Sequence, residues 1–171
     1  MRKVRFPTRV AGMLLAASVL ALAAGCASLP EPEVMRREAE GYQLPKLPEN
    51  GKAIVYVVRP SSMGTLVRFN VFVDDHEDAS EMGYNRGSQY IYFNLLPGKH
   101  QISSKAENWA TVEVTAKAGD IIFLQQNPTL GLVMSRNDLR KIEEQYEGKY
   151  HVKTLQLGTI IRENRGDGAA R

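Results

Sequence analysis

The only cysteine in the chain, Cys26, closes an apolar run that follows a basic N-terminus. Arg2, Lys3, Arg5 and Arg9 come first, with no acid among them, and the run from Val10 to Ala24 then consists only of Ala, Leu, Val, Met, Gly and Ser. A bilayer span needs about 20 apolar residues, so the run is short for one, and Pro30 and Pro32 follow closely. Its order of basic, apolar and small residues is that of a secretory signal, which is removed before the mature protein folds.

Leu22-Ala23-Ala24-Gly25-Cys26 reads as a bacterial lipoprotein signal. Small residues let an extended backbone enter a peptidase, and the following thiol accepts a diacylglyceryl group. Cleavage after Gly25 makes Cys26 the lipidated N-terminus. Leucine usually stands three residues before the cysteine, where this chain has Ala23. An ordinary secretory signal cut near Ala24 or Ala27, with Cys26 incidental, is the competing reading. Acyl chains bury about 0.8 kcal/mol per methylene, so several on one cysteine hold a protein firmly. Ala27 follows the cysteine where an Asp would favour inner-membrane retention. By resemblance to that sorting rule, the expected address is the outer membrane, lipid-anchored and facing the periplasm.

Loss of residues 1–25 changes the charge. The whole chain has 22 Lys and Arg against 19 Asp and Glu; without the four basic residues of the signal the balance is 18 − 19 = −1. A nucleic-acid partner calls for a basic surface, and composition supplies none. An acylated Cys26 leaves no thiol for a disulfide, so a core must stabilise the remaining 171 − 25 = 146 residues. A domain near that size buries roughly 68–70% of its unfolded surface, which suits one unstapled domain.

Residues 26–50 read as a lipidated cysteine and tether, with Pro30, Pro32, Pro45 and Pro48 and a short helix over Glu33 to Glu40. Short β-rich runs follow. Ala53 to Val58 is apolar on both faces and predicts a central strand, ended by Pro60. Phe69, Val71 and Val73 alternate with polar neighbours. Gln89, Ile91, Phe93 and Leu95 share one face of another strand, with Tyr90, Tyr92 and Asn94 on the other. Leu96-Pro97-Gly98-Lys99 is a tight turn signal. Ala110, Val112 and Val114 line a further strand, and Ile121 to Leu124 is apolar on both faces. Ser135 with Asp138 resembles a capping box, and Leu139, Ile142 and Tyr146 recur at helical spacing up to Gly148. The expectation is a mainly β chain: a single antiparallel β-sandwich over 51–158 with one C-terminal amphipathic helix, then a flexible tail over 159–171.

Chemical motifs are sparse. Asp74, Asp75, His76, Glu77, Asp78 and Glu81 form the densest polar cluster but lack the ligand spacing of a calcium loop. His76, His100 and His151 fall in no zinc-binding pattern, and no thiolate remains to join them. No G-x-S-x-G elbow marks a nucleophile, and no glycine-rich phosphate loop or other cofactor motif is present. These patterns predict no enzyme, no metal and no cofactor. Tyr90, Tyr92 and Trp109, with Tyr84, are the aromatic candidates for ligand contact, since exposed rings offer flat apolar area with a polar tip; packing in the core is their alternative role.

Gly51-Lys52-Ala53-Ile54-Val55-Tyr56-Val57-Val58-Arg59-Pro60, Val71-Phe72-Val73-Asp74 and Leu96-Pro97-Gly98-Lys99-His100 resemble a family of bacterial envelope lipoproteins that share a domain of unknown function. Ala118-Gly119-Asp120 before an apolar strand fits as well, and the likeness runs from about Gly51 to Leu157, one domain in extent. It implies a β-sandwich behind a lipobox, with no assigned activity and no catalytic residues. The strand–turn pattern is also similar, less closely, to PEGA-type surface modules. The expected function is a non-enzymatic, membrane-anchored periplasmic lipoprotein that contacts another envelope protein. The alternative is a glycan- or small-ligand-binding module using Tyr90, Tyr92 and Trp109.

Overall fold

Seven consecutive residues, Ala53–Arg59, form strand β1, and all seven are buried. Only a strand with a partner on each side and a layer over each face can bury every side chain. The computed structural model, which describes residues 29–131 and 135–165, supplies both. The predicted signal segment and Cys26 lie outside the described residues.

The strands after β1 are β2 (Phe69–Val73), β3 (Glu81–Asn85), β4 (Gln89–Leu95), β5 (Gly98–Lys105), β6 (Trp109–Ala116), β7 (Ile121–Leu130), β8 (Ser135–Ile142), β9 (Gln156–Leu157) and β10 (Thr159–Ile160). Helix α1 covers Pro32–Ala39 and helix α2 covers Gln145–Thr154. The first sheet runs β8-β7-β1-β4-β9 and the second β10-β3-β2-β5-β6. The mainly β, two-sheet sandwich matches the sequence expectation. Most pairings are antiparallel, but β1 pairs parallel with β7 and β4 with β9, so the first sheet is mixed.

Period-2 alternation assigns the faces. Val55, Val57, Ile91, Phe93, Ile122 and Leu124 of the first sheet meet Val71, Val73, Met82, Ile102 and Val114 of the second in the main core. A second apolar layer lies on the other side of the first sheet. There Ile54, Tyr56, Val58, Tyr90, Phe123 and Ile142 pack with Leu44 and with Val152 of α2.

Three expectations need correction. The predicted helix from Ser135 is strand β8, which pairs with β7 over eight positions. Alternation places Leu139 in the main core and Ile142 in the outer layer, so residues that share a helical stripe separate onto opposite faces. The helix begins only at Gln145, and Gly148 lies inside it rather than ending it. The expected tether is docked from Pro32 onward: Met35, Ala39 and Leu44 are buried, and the Tyr56 hydroxyl donates to the Lys46 carbonyl at 2.6 Å while accepting its N–H at 3.0 Å. The expected tail is likewise tied down as far as Arg165. Thr159 and Ile160 pair with Tyr84 and Gly83, and Asn164 bridges to Asn94. Gly83 permits this closeness, because a Cβ there would lie 2.2 Å from the Thr159 carbonyl oxygen.

Candidate functional site

Tyr90 and Tyr92 project from β4 onto the helix-covered side of the first sheet. Their ring centroids lie 6.1 and 5.7 Å from that of Tyr56, and Tyr90 is buried. Trp109 starts β6 in the second sheet and is 38% exposed. The three candidates therefore occupy different layers and form no common surface. Tyr84, on β3, shares the second sheet with Trp109.

Trp109 covers Phe72. It meets that ring edge-on at 5.2 Å and stacks on His76 at 3.7 Å with an interplanar angle of 10°. His76 Nε2 lies 3.2 Å from Ser103 Oγ, and Ser103 Oγ lies 3.0 Å from Thr111 Oγ1. A serine beside a histidine is the start of a nucleophile–base pair, but Ser103 is 2% exposed and its hydroxyl is already shared with Thr111. The pair fastens the loop after β2 to the sheet.

The acidic cluster divides among several partners. Asp74, at φ 68°, accepts the Gln101 N–H at 3.1 Å and pairs with His100 Nδ1 at 3.0 Å and with Arg165. Asp75 also pairs with Arg165, at 2.8 Å, and Glu81 accepts from the Asn70 amide at 2.7 Å. His100 Nε2 faces the Leu96 carbonyl oxygen at 2.9 Å. Both of its partners are acceptors, so the ring bonds both at once only with a proton on each nitrogen. Partial burial acts to raise the Asp74 pKa. Hydrogen bonds from His100 and Gln101 and the nearby Arg165 charge outweigh it and hold the carboxyl below its ordinary value. Among the described residues no group of three His, Cys, Asp or Glu side chains is arranged to hold a metal ion.

Asp74, His100 and Arg165 border a cavity of about 310 Å³ together with Lys52, Asn94 and Asn164. Its charges are mutually satisfied: Lys52 donates to Glu49 at 2.7 Å and to Asn164 at 2.6 Å. A small polar ligand would enter by displacing these contacts.

Arg59, at the end of β1, had no site role in the sequence, where it looks like a residue leaving a strand for solvent. It is fully buried. Its guanidinium donates to the carbonyls of Val67, Met63 and Gly64 at 2.7, 2.8 and 3.0 Å and lies 3.7 Å from the Phe69 ring centroid. Burial pushes its pKa down to about 10, so it remains a cation at neutral pH. Beside it, Asn85 donates to Gln126 at 3.1 Å and Gln126 donates to Ser104 at 2.8 Å, a polar seam across the sandwich. No local pattern signals the seam, because Asn85, Gln126 and Ser104 lie far apart in sequence, and nothing in the 60–68 loop marks the carbonyls that fold back onto Arg59. Their chemistry is structural: they fix the 60–68 loop and the sheet-to-sheet register.

No protein-family model matches the chain. It is similar to an uncharacterized protein of Haemophilus influenzae, with 24% identity over 140 residues that cover 81% of this chain and 79% of that protein. The likeness is domain-wide, and an uncharacterized relative lends the chain no activity.

Proposed function

We propose that the chain is a lipoprotein anchored through Cys26 in the outer membrane, facing the periplasm, and that its β-sandwich is a non-enzymatic module that contacts another envelope protein. The observation that carries the reading is the apolar run closing on Ala24-Gly25-Cys26. Ala27 supports the outer-membrane address, and the G-K-A-x-V-Y-x-x-R-P resemblance supports the class. The burial of Ser103 and the mutual pairing of the Asp74 cluster favour a structural use of the groups that could otherwise do chemistry.

Small-ligand binding is the second reading, favoured by the 310 Å³ cavity, whose size is near the lower end for ligand pockets. It ranks second because a ligand would have to break internal ion pairs. The glycan variant loses its shared platform, since Tyr90 and Tyr92 lie one layer away from Trp109.

Metabolic labelling with an alkyne palmitate, followed by membrane fractionation, tests the anchor. The wild-type protein takes the label and sediments with the outer membrane, whereas Cys26→Ala takes none and is released in soluble form. An unlabelled wild type, or a label that survives Cys26→Ala, would falsify the anchor.

A further inference from the structure

The two outer faces of the sandwich are not equivalent. Helix α2 and residues around Leu44 cover that of the first sheet. The second sheet presents a cross-strand line instead: Tyr84 pairs with Asn70, Asn70 with Lys105, and Lys105 with Trp109. Strands lie about 4.8 Å apart, so the two aromatic residues stand roughly 14 Å apart along one row.

Cations frame both rings. The Arg68 guanidinium is 4.5 Å and that of Arg86 5.6 Å from the Tyr84 ring centroid, and Lys105 Nζ is 5.2 Å from that of Trp109. Among the described residues none of these three forms an ion pair with a carboxylate. Glu81, the nearest acid along β3, is held by Asn70. A hydrogen bond with Thr159, helped by the charges of Arg68 and Arg86, holds the Tyr84 hydroxyl below its ordinary pKa. This cluster stands out in a chain whose balance beyond the signal is −1.

Among the described residues, the clefts beside Ile121, Asn94, Tyr146 and Gln101 include neither Tyr84 nor Trp109. Small ligands and glycans favour concave sites, whereas protein interfaces are flatter and are enriched in Tyr, Trp and Arg at the residues that dominate binding. We infer that this face of the second sheet docks an acidic segment of a protein partner. Its carboxylates meet Arg68, Arg86 and Lys105 while its apolar and backbone groups lie over Tyr84 and Trp109. The inference rests on the interaction-module reading and gives that partner a chemistry.

An aromatic photo-crosslinking residue placed at Tyr84 or at Trp109 of the full chain, in cells, tests it, with Lys149 on α2 as the control position. Both face positions should give a protein adduct whose crosslinked peptide carries net negative charge, absent from the control. Arg68→Gln with Arg86→Gln and Lys105→Gln should lower its yield about tenfold with no change in unfolding midpoint. An adduct with lipid or glycan, an adduct insensitive to the three substitutions, or no adduct at either position overturns the inference. Palmitate labelling of the same cells separates the two readings. Unlabelled protein that still gives the acidic adduct sinks the anchor alone, and labelled protein without an adduct sinks the docking face.

Discussion

Gly148 occupies the interior of α2, where alanine ordinarily stabilises by up to about 1 kcal/mol. Here the backbone of the helix lies so close to the first sheet that a Cβ would sit 2.2–2.6 Å from three carbons of the Phe123 ring. That ring is fully buried and stacked 5.6 Å from Tyr56, so it has little room to retreat. Gly148→Ala should therefore cost about 1–3 kcal/mol by overpacking, read as a lower urea midpoint; an unchanged or higher midpoint would show that α2 can lift away from the sheet. The sequence marks Gly148 as special and misassigns the reason. A glycine beside a helical pattern reads as a stop, and the contact that demands it lies on β7, at Phe123, with the whole of β8 in between.

Element assignments follow the same division between local and distant information. β1, β4 and β6 are legible because alternation or an unbroken apolar run is written within the strand itself. β8 is not, because Leu139, Ile142 and Tyr146 fit a helical stripe and only pairing with β7 decides otherwise. β3 hides behind Gly83 and carries few apolar residues. Which sheet each strand joins is a long-range property, so the separation of Tyr90 and Tyr92 from Trp109 could not be read locally. Nor could the placement of Tyr84 and Trp109 on one cross-strand row. Helix α2 carries a pH-dependent weakness. His151 is 1% exposed and its Nε2 has no hydrogen-bond partner. Burial pushes its pKa down; Glu147, 4.0 Å away, pulls it up and Arg140 opposes that pull. With the folded value depressed, the unfolded chain takes up the proton first as pH falls through about 6.5, and stability falls with it. Denaturant titrations at pH 7 and pH 5 should show this loss in the wild type and a smaller one in His151→Phe. Equal losses in both would place the acid sensitivity elsewhere.

For the whole molecule, the boundary that matters lies near Pro32, where the compact unit starts. Met35 and Leu44 bury their side chains against the rest of the domain, and each such burial stabilises by about 1.5–3 kcal/mol. Lys153 adds an ion pair to Glu38 at 2.8 Å, and the Lys46 backbone binds Tyr56. A chain that begins at Pro32 sets the reference thermal stability. Removal of 1–50 should lower it by roughly 3–6 kcal/mol and expose Tyr56 and Tyr90, visible as a shift in tyrosine fluorescence. Equal melting of the two truncated chains would mean that residues 32–50 contribute nothing. With docking from Pro32, only the short stretch from Ala27 to Glu31 separates Cys26 from the domain, a reach of at most about 20 Å.

The central place of β1 also sets a timetable. Its antiparallel partner β4 begins only at Gln89, and its parallel partner β7 only at Ile121. Ala53 to Val58 is therefore made before either neighbour exists. Six apolar, β-prone residues with no charge among them are the kind of segment that pairs with other chains, and non-local pairing closes slowly. Aggregation during synthesis should thus originate at β1, and the interval before β7 arrives is when the chain most needs a chaperone.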